Sequence, residues 1–354
     1  MDEPAFAAQR GRRRKQLLAG ALFLAGIVAA LLLSLGMGAM SIPPGRVAGI
    51  LWGRLAGNTD LLAAFAPNEV AVVWEIRLPR ILCGLFVGMG LSAAGVIFQS
   101  LLRNPLADPY TLGVSTGAAF GASLAIYMGV AYGVSVPTAP PAFLFAFLTL
   151  LAVIGIARRG GGMLSSSLVI AGIIVSAVLS SGISFLKMLA GENVSAIVFW
   201  LMGSLSSRSW ADVALIALVV LLAGGTAWCF ADDLNVMTLG DETAQALGVN
   251  VRRTRVLYLV LGSCVTAACV AVSGVIGFVG LVVPHILRFS LTSDNRALLP
   301  LSALLGGLLL LAADSATRLL SSGEIPVGVL TTLLGGPFFI YIFLRRPKGG
   351  DDHG

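Results

Sequence analysis

The side chains of this sequence that could do chemistry are few, and most stand alone in apolar surroundings. An active centre inside such a chain needs His, Asp, Ser or Glu paired across facing elements. Serines abound, but the only histidine in a long apolar stretch is His285, close to the end of that stretch. Two histidines in total leave little material for a metal or haem site built by this chain. Cys83, Cys229, Cys264 and Cys269 lie singly in apolar runs without CxxC spacing, so they read as packing or lipid-buried residues. The glycine-rich block from Ser273 to His285 lacks the Lys-Ser or Lys-Thr that closes a phosphate loop, and it reads as a packing helix. Asp314, after a long apolar run, is a carboxylate that could bind a coupling ion or relay protons, as an ion-coupled secondary transporter requires. Arg318 stands four residues later, so an i, i+4 ion pair at a helix end competes with that reading.

The elements that carry these residues are dictated by composition. Hydrophobic residues make up 57% of the chain and charged ones only 11%, with a mean hydropathy of +0.94, far from the balance of a water-soluble domain. Apolar stretches of bilayer-spanning length recur from Leu17 to Leu344. Runs such as Val213 to Ala223 do not alternate as the strands of a membrane barrel would, so the fold is predicted to be all-α, a single polytopic membrane unit over residues 1–354. About ten spans are expected, near 17–37, 81–102, 112–129, 142–157, 166–189, 211–230, 256–273, 274–287, 298–313 and 327–344. The 43 glycines suit helices that pack through small residues.

Arg10, Arg12, Arg13, Arg14 and Lys15 precede the first apolar stretch, as in a signal peptide. That stretch is long, however, and is followed by Ser41-Ile42-Pro43-Pro44 instead of a small-residue cleavage site, so a retained helix is expected. Placing this basic segment (1–16) inside also places Arg103, Arg158, Arg159, Arg252, Arg253, Arg255 and the 345–354 tail inside. The positive-inside bias therefore predicts both termini in the cytoplasm. The net charge of +6 follows from this topology. Its basic residues are spread over separate loops and give no reason to invoke nucleic acid; membrane lipid is the expected surroundings.

Two connections stand out. The outer segment from Met40 to Arg80 is long, mildly amphipathic and ends in Trp74-Glu75-Ile76-Arg77-Leu78-Pro79-Arg80. The inner segment, 231–255, contains Leu234 to Val249, which reads as one short amphipathic helix closed by Gly248.

Five blocks, taken in order, resemble the FecCD permease family. They are Arg77-Leu78-Pro79-Arg80; Asn104-Pro105-Leu106-Ala107-Asp108-Pro109 with Leu112-Gly113; Leu239-Gly240-Asp241 with Leu247-Gly248; Gly277-Phe278-Val279-Gly280-Leu281 with Pro284-His285; and Glu324-Ile325-Pro326-Val327-Gly328 with Gly335-Gly336-Pro337-Phe338-Phe339. The resemblance implies the permease of a type II ABC importer for a ferric siderophore, haem or cobalamin. It implies a homodimer in the bacterial inner membrane, two ABC ATPase subunits and a periplasmic or lipid-anchored substrate-binding protein. With no phosphate loop in this chain, it is not expected to be an enzyme or to bind a cofactor; ATP and magnesium belong to the ATPase. By the same resemblance, Leu239, Gly240, Asp241, Ala244, Leu247 and Gly248 couple to the ATPase, and Arg77, Arg80 and Arg318 meet the binding protein. Ser165 and Ser166 narrow the pathway at its cytoplasmic end. Without the resemblance, interfacial snorkelling accounts for Arg77 and Arg80, and helix capping accounts for the two serines.

Overall fold

A computed structural model describes residues 3–38, 40–134, 136–160, 163–320 and 325–344. The 345–354 tail and Glu324 lie outside the described residues. Sixteen α-helices follow in order: α1 (Glu3–Gly36), α2 (Pro44–Ala56), α3 (Thr59–Ala63), α4 (Pro67–Ala71), α5 (Leu78–Leu101), α6 (Val114–Tyr132), α7 (Ala139–Arg159), α8 (Ser165–Ala190), α9 (Val194–Leu201), α10 (Trp210–Cys229), α11 (Ala231–Met237), α12 (Asp241–Ala246), α13 (Val251–Ser273), α14 (Val279–Ser290), α15 (Asn295–Leu320) and α16 (Val327–Leu344). Among the described residues eight helical stretches are long and apolar enough to cross a membrane, and Val279–Ser290 and Val327–Pro337 are shorter apolar helical stretches. The all-α polytopic fold is as predicted. The first basic segment is not separate from its span, because α1 runs unbroken through it.

Helices α5 and α13 form the centre, α5 packed by α10, α13, α14 and α15. Backbones approach closely there. A Cβ on Gly95 of α5 would stand 1.8 Å from the carbonyl oxygen of Gly280 in α14, so only hydrogen fits. A second apolar cluster, including Leu35, Ile42, Ile50, Val73, Ile81 and Leu311, seats the 40–77 segment on the ends of α1, α5 and α15. A π-helical turn, Val72–Arg77, leads that segment directly into α5.

The predicted span 274–287 is corrected. Residues 274–278 are not helical, and the helix starts only at Val279, after Phe278 in a left-handed backbone conformation. The reason is tertiary. The Gly274 position leaves no room for a Cβ beside the Trp200 carbonyl, and Ser204 donates its backbone N–H to Ser273 O, so the 200–206 chain lies against this stretch. From the other side, the Tyr110 hydroxyl, carried by the turn-rich connection between α5 and α6, donates to the Ile276 carbonyl. Non-helical backbone inside a membrane bundle is tolerated where protein groups satisfy it, as here.

Candidate functional site

The two short helices between α10 and α13 sit at the same end of the bundle as Arg103 of the 102–113 connection and as Met163, just before α8. Sequence periodicity predicts one helix over 234–249; the structure has two, α11 and α12, broken at Thr238 to Gly240. The break is set by Gly240, whose φ of +114° is open to glycine and strained for other residues. Gly248 is also left-handed (φ +89°) and ends the segment, with Val249 donating to the Ala244 carbonyl.

Polar bonds tie each short helix to a different part of the bundle. From α11, the Asn235 amide donates to Asp294 at 2.6 Å and accepts from the Asn295 backbone N–H at 2.8 Å, while Asp232 pairs with Arg296 at 2.5 Å. The start of α15 is in turn held from inside, where the Asn295 side-chain oxygen accepts from Ser100 at 2.9 Å. From α12, both Asp241 oxygens accept from Arg255 Nη2 of α13, at 2.7 and 2.9 Å. Arg103 adds a longer contact of 3.7 Å. The Arg255 guanidinium is buried, and its Nη1 donates to the Met163 carbonyl at 2.6 Å. Met163 stands two residues before Ser165, the first residue of α8.

The same segment has an outer face. Leu234, Met237 and Ala244 are buried, whereas Leu239 and Leu247 are 63% and 61% exposed. Ala244 is therefore not an outward contact as the resemblance implied. It is turned inward on a helix seated against α11 and α13, and Leu239 and Leu247 are left as the apolar outward groups. Ser166 is exposed at the start of α8; the Ser165 hydroxyl is buried and has no hydrogen-bond partner among the described residues. Helix capping does not account for Ser165, because Leu164 occupies the cap position.

At the opposite end, Arg77, Arg80 and Arg318 come together, but turned into the protein. Arg77 is buried and donates to the carbonyls of Leu35, at 2.7 Å, and Met40, closing the C-terminal end of α1. Asp314 is bracketed by two guanidiniums: Arg80 at 2.9 Å and, one helical turn along, Arg318 at 3.2 Å. Arg318 also donates to the Ser34 carbonyl and hydroxyl. The i, i+4 pair expected from sequence forms, and Arg80 joins it from α5, which spacing could not reveal. Two arginines at this end that the sequence reading passed over are more exposed to solvent: Arg46, paired with Glu69 at 2.6 Å, and Arg54, which lies over the Trp74 ring. Their position on α2, with Val47, Ile50 and Gly53 facing the core, was the available signal.

The model of the FecCD transport family matches residues 26–345. A cobalamin import system permease of Halobacterium salinarum is 42% identical over 300 residues, 84% of this chain and 80% of the relative. A hemin transport system permease of Yersinia pestis is 40% identical over 288 residues, 77% of this chain and 84% of the relative. Among solved structures, an inward-facing metal-chelate-type ABC transporter superposes with a TM-score of 0.80 at 32% identity, covering 92% of this chain and 99% of that one.

Proposed function

We propose, from the premise that this chain belongs to the FecCD transport family, that it forms the translocation pathway of a metal-chelate ABC importer as one half of a homodimer. Two separate ATPase subunits drive it, and a substrate-binding protein loads it. The cargo is a large metal chelate, with cobalamin and haem the first candidates because they are the printed substrates of two relatives. In the inner membrane the Asp241 end faces the cytoplasm, as the positive-inside bias of its loops requires.

One observation carries the coupling assignment. Leu239 and Leu247 stand uncovered on a segment whose other face is both buried and polar-bonded to α13 and α15. Two exposed leucines on a firmly seated polar segment at the end of the bundle support reading this face as a surface for another protein. ATP-driven closure of the ATPase pair then moves this segment, and the cavity between the two permeases opens to one side or the other. Substrate-binding protein is proposed to dock at the opposite end, steered by Arg46 and Arg54, on a rim whose shape the Arg77, Arg80 and Arg318 bonds hold.

The ion-coupled alternative requires a carboxylate free to bind an ion, and Asp314 is the candidate. With its carboxylate held by Arg80 and Arg318, that residue serves as a tie between α5 and α15. The deciding experiment is ATP hydrolysis by the complex that co-purifies with this chain in mild detergent, beside a Leu247→Asp variant. Hydrolysis that is present and lost in the variant together with the ATPase supports the reading. A wild-type complex with no hydrolysing partner would return the ion-coupled transporter to first place.

A further inference from the structure

Asp241 and the Met163 carbonyl are joined through a single side chain. Asp241 begins α12, on the segment proposed to receive the ATPase; Met163 lies in the connection that starts α8 and leads directly to Ser165 and Ser166. The Arg255 guanidinium lies between them, with Nη2 on both Asp241 oxygens and Nη1 on the Met163 carbonyl, all at 2.6–2.9 Å. It is 4% exposed. A rigid planar fork of donors fixes the relative position of two acceptors, which the three rotating donors of a flexible ammonium do not. Connections between helices are ordinarily the compliant parts of a bundle. This one has the Met163 carbonyl, two residues before α8, bonded to Arg255, which also holds the segment on which the motor would pull.

We infer that Arg255 is the positioning residue that transmits displacement of the α12 segment to the start of α8, through the Asp241–Arg255–Met163 link. The inference rests on the function proposed above. It separates Arg255 from the second set of ties, Asn235 with Asp294 and Asn295 and Asp232 with Arg296, which anchors α11 to α15 and has no bond to α8. The α11 ties hold the segment to the start of α15, and the Arg255 link is what reaches the residues before α8. Arg103 contacts Asp241 only at 3.7 Å, from an exposed side chain, and cannot substitute for the two short bonds from the buried Arg255.

The test uses the complex with its co-purified ATPase, the four native cysteines replaced by alanine, and Ser166→Cys as reporter. The rate of its modification by a membrane-impermeant maleimide is compared without nucleotide and with ATP under non-hydrolysing conditions. With Arg255 present the rate changes on nucleotide binding. In Arg255→Lys, which keeps the charge but not the fork, the nucleotide-dependent change shrinks roughly tenfold, about what the loss of one charge-assisted hydrogen bond is worth. Asp241→Asn, which leaves the Met163 bond in place and weakens only the first link, shows the same loss in a protein that folds with Arg255 intact. Either variant assembled with its ATPase and retaining the full nucleotide response would overturn the link. A parent complex that hydrolyses no ATP would instead overturn the proposed function, and the link with it. Asn235→Ala serves as the control for a merely structural effect: it loosens the segment while leaving a nucleotide response, and loss of the response there equal to that in Arg255→Lys would also overturn the assignment.

Discussion

Asp314 shows how a single carboxylate changes meaning with its partners. In the sequence it is a charged residue after an apolar run; in the fold it lies between Arg80 and Arg318 with its side chain 3% exposed. Removing one member of a buried charge group leaves the others desolvated and uncompensated, at a cost of about 3 kcal/mol. Asp314→Ala is therefore expected to lower the thermal unfolding midpoint of the detergent-solubilised protein by several degrees. An unchanged midpoint would mean the ties are dispensable. Asp108, in the connection between α5 and α6, is a different case. Burial pushes its carboxyl above the usual range, against bonds donated by Thr111 and the Tyr110 backbone N–H, which favour the ionised form. A raised folded-state pKa means that the native state holds the proton more tightly than the unfolded one. Stability is therefore fully present below the ordinary carboxylate range and declines as pH rises through the raised value. Asp108→Asn keeps an acceptor oxygen and abolishes the ionisation, so its stability should lose that decline when unfolding is followed from acid to neutral pH.

At the scale of elements, the structure depends on two places where helices approach or stop for reasons of contact. Gly95 and Gly280 let α5 and α14 touch backbone to backbone, and a methyl group at Gly95 would overlap the Gly280 carbonyl. Overpacking of this kind costs about 1–3 kcal/mol when the neighbour can shift and more when it cannot. Gly95→Ala should reduce the yield of folded, monodisperse protein in size-exclusion chromatography, whereas Gly224→Ala, with open space around it, should not. The broken stretch before α14 depends on the Tyr110 hydroxyl. Tyr110→Phe leaves the Ile276 carbonyl without that donor, an expected loss of about 1–3 kcal/mol measurable by the same thermal assay.

For the whole molecule, the proposal is a pathway between two copies with inward and outward ends set by charge. If Ser166 borders the inner constriction, Ser166→Cys in two copies should be joined by a short bis-maleimide, giving a dimer band that fades when nucleotide changes the constriction. Failure to cross-link with reagents of any span up to about 15 Å, a few residues of extended chain, would remove the serines from the axis. Thr243→Cys and Trp52→Cys, at opposite ends of the bundle, should react with impermeant maleimide from opposite sides of the membrane, the first only in inverted vesicles.

The amino-acid sequence by itself determined that this is an all-helical membrane protein. Apolar stretches of bilayer length leave the chain no other way to satisfy its backbone, and a run of short motifs in order carries the family resemblance. It also marked the inner amphipathic segment and its left-handed Gly248, because glycine punctuation and helical periodicity are local properties. What it could not determine depends on residues far apart in the chain. The late start of α14 is decided by Tyr110 and the 200–206 segment, and the separate seating of α11 on α15 and of α12 on α13 by the bonds of Asn235 and Asp241. The inward turn of Arg77 onto the end of α1 and the Arg255 bridge from Asp241 to Met163 are of the same kind. Each places a polar group against a partner dozens or hundreds of residues away, or across a helix junction, and only the packed bundle brings such partners within hydrogen-bonding distance.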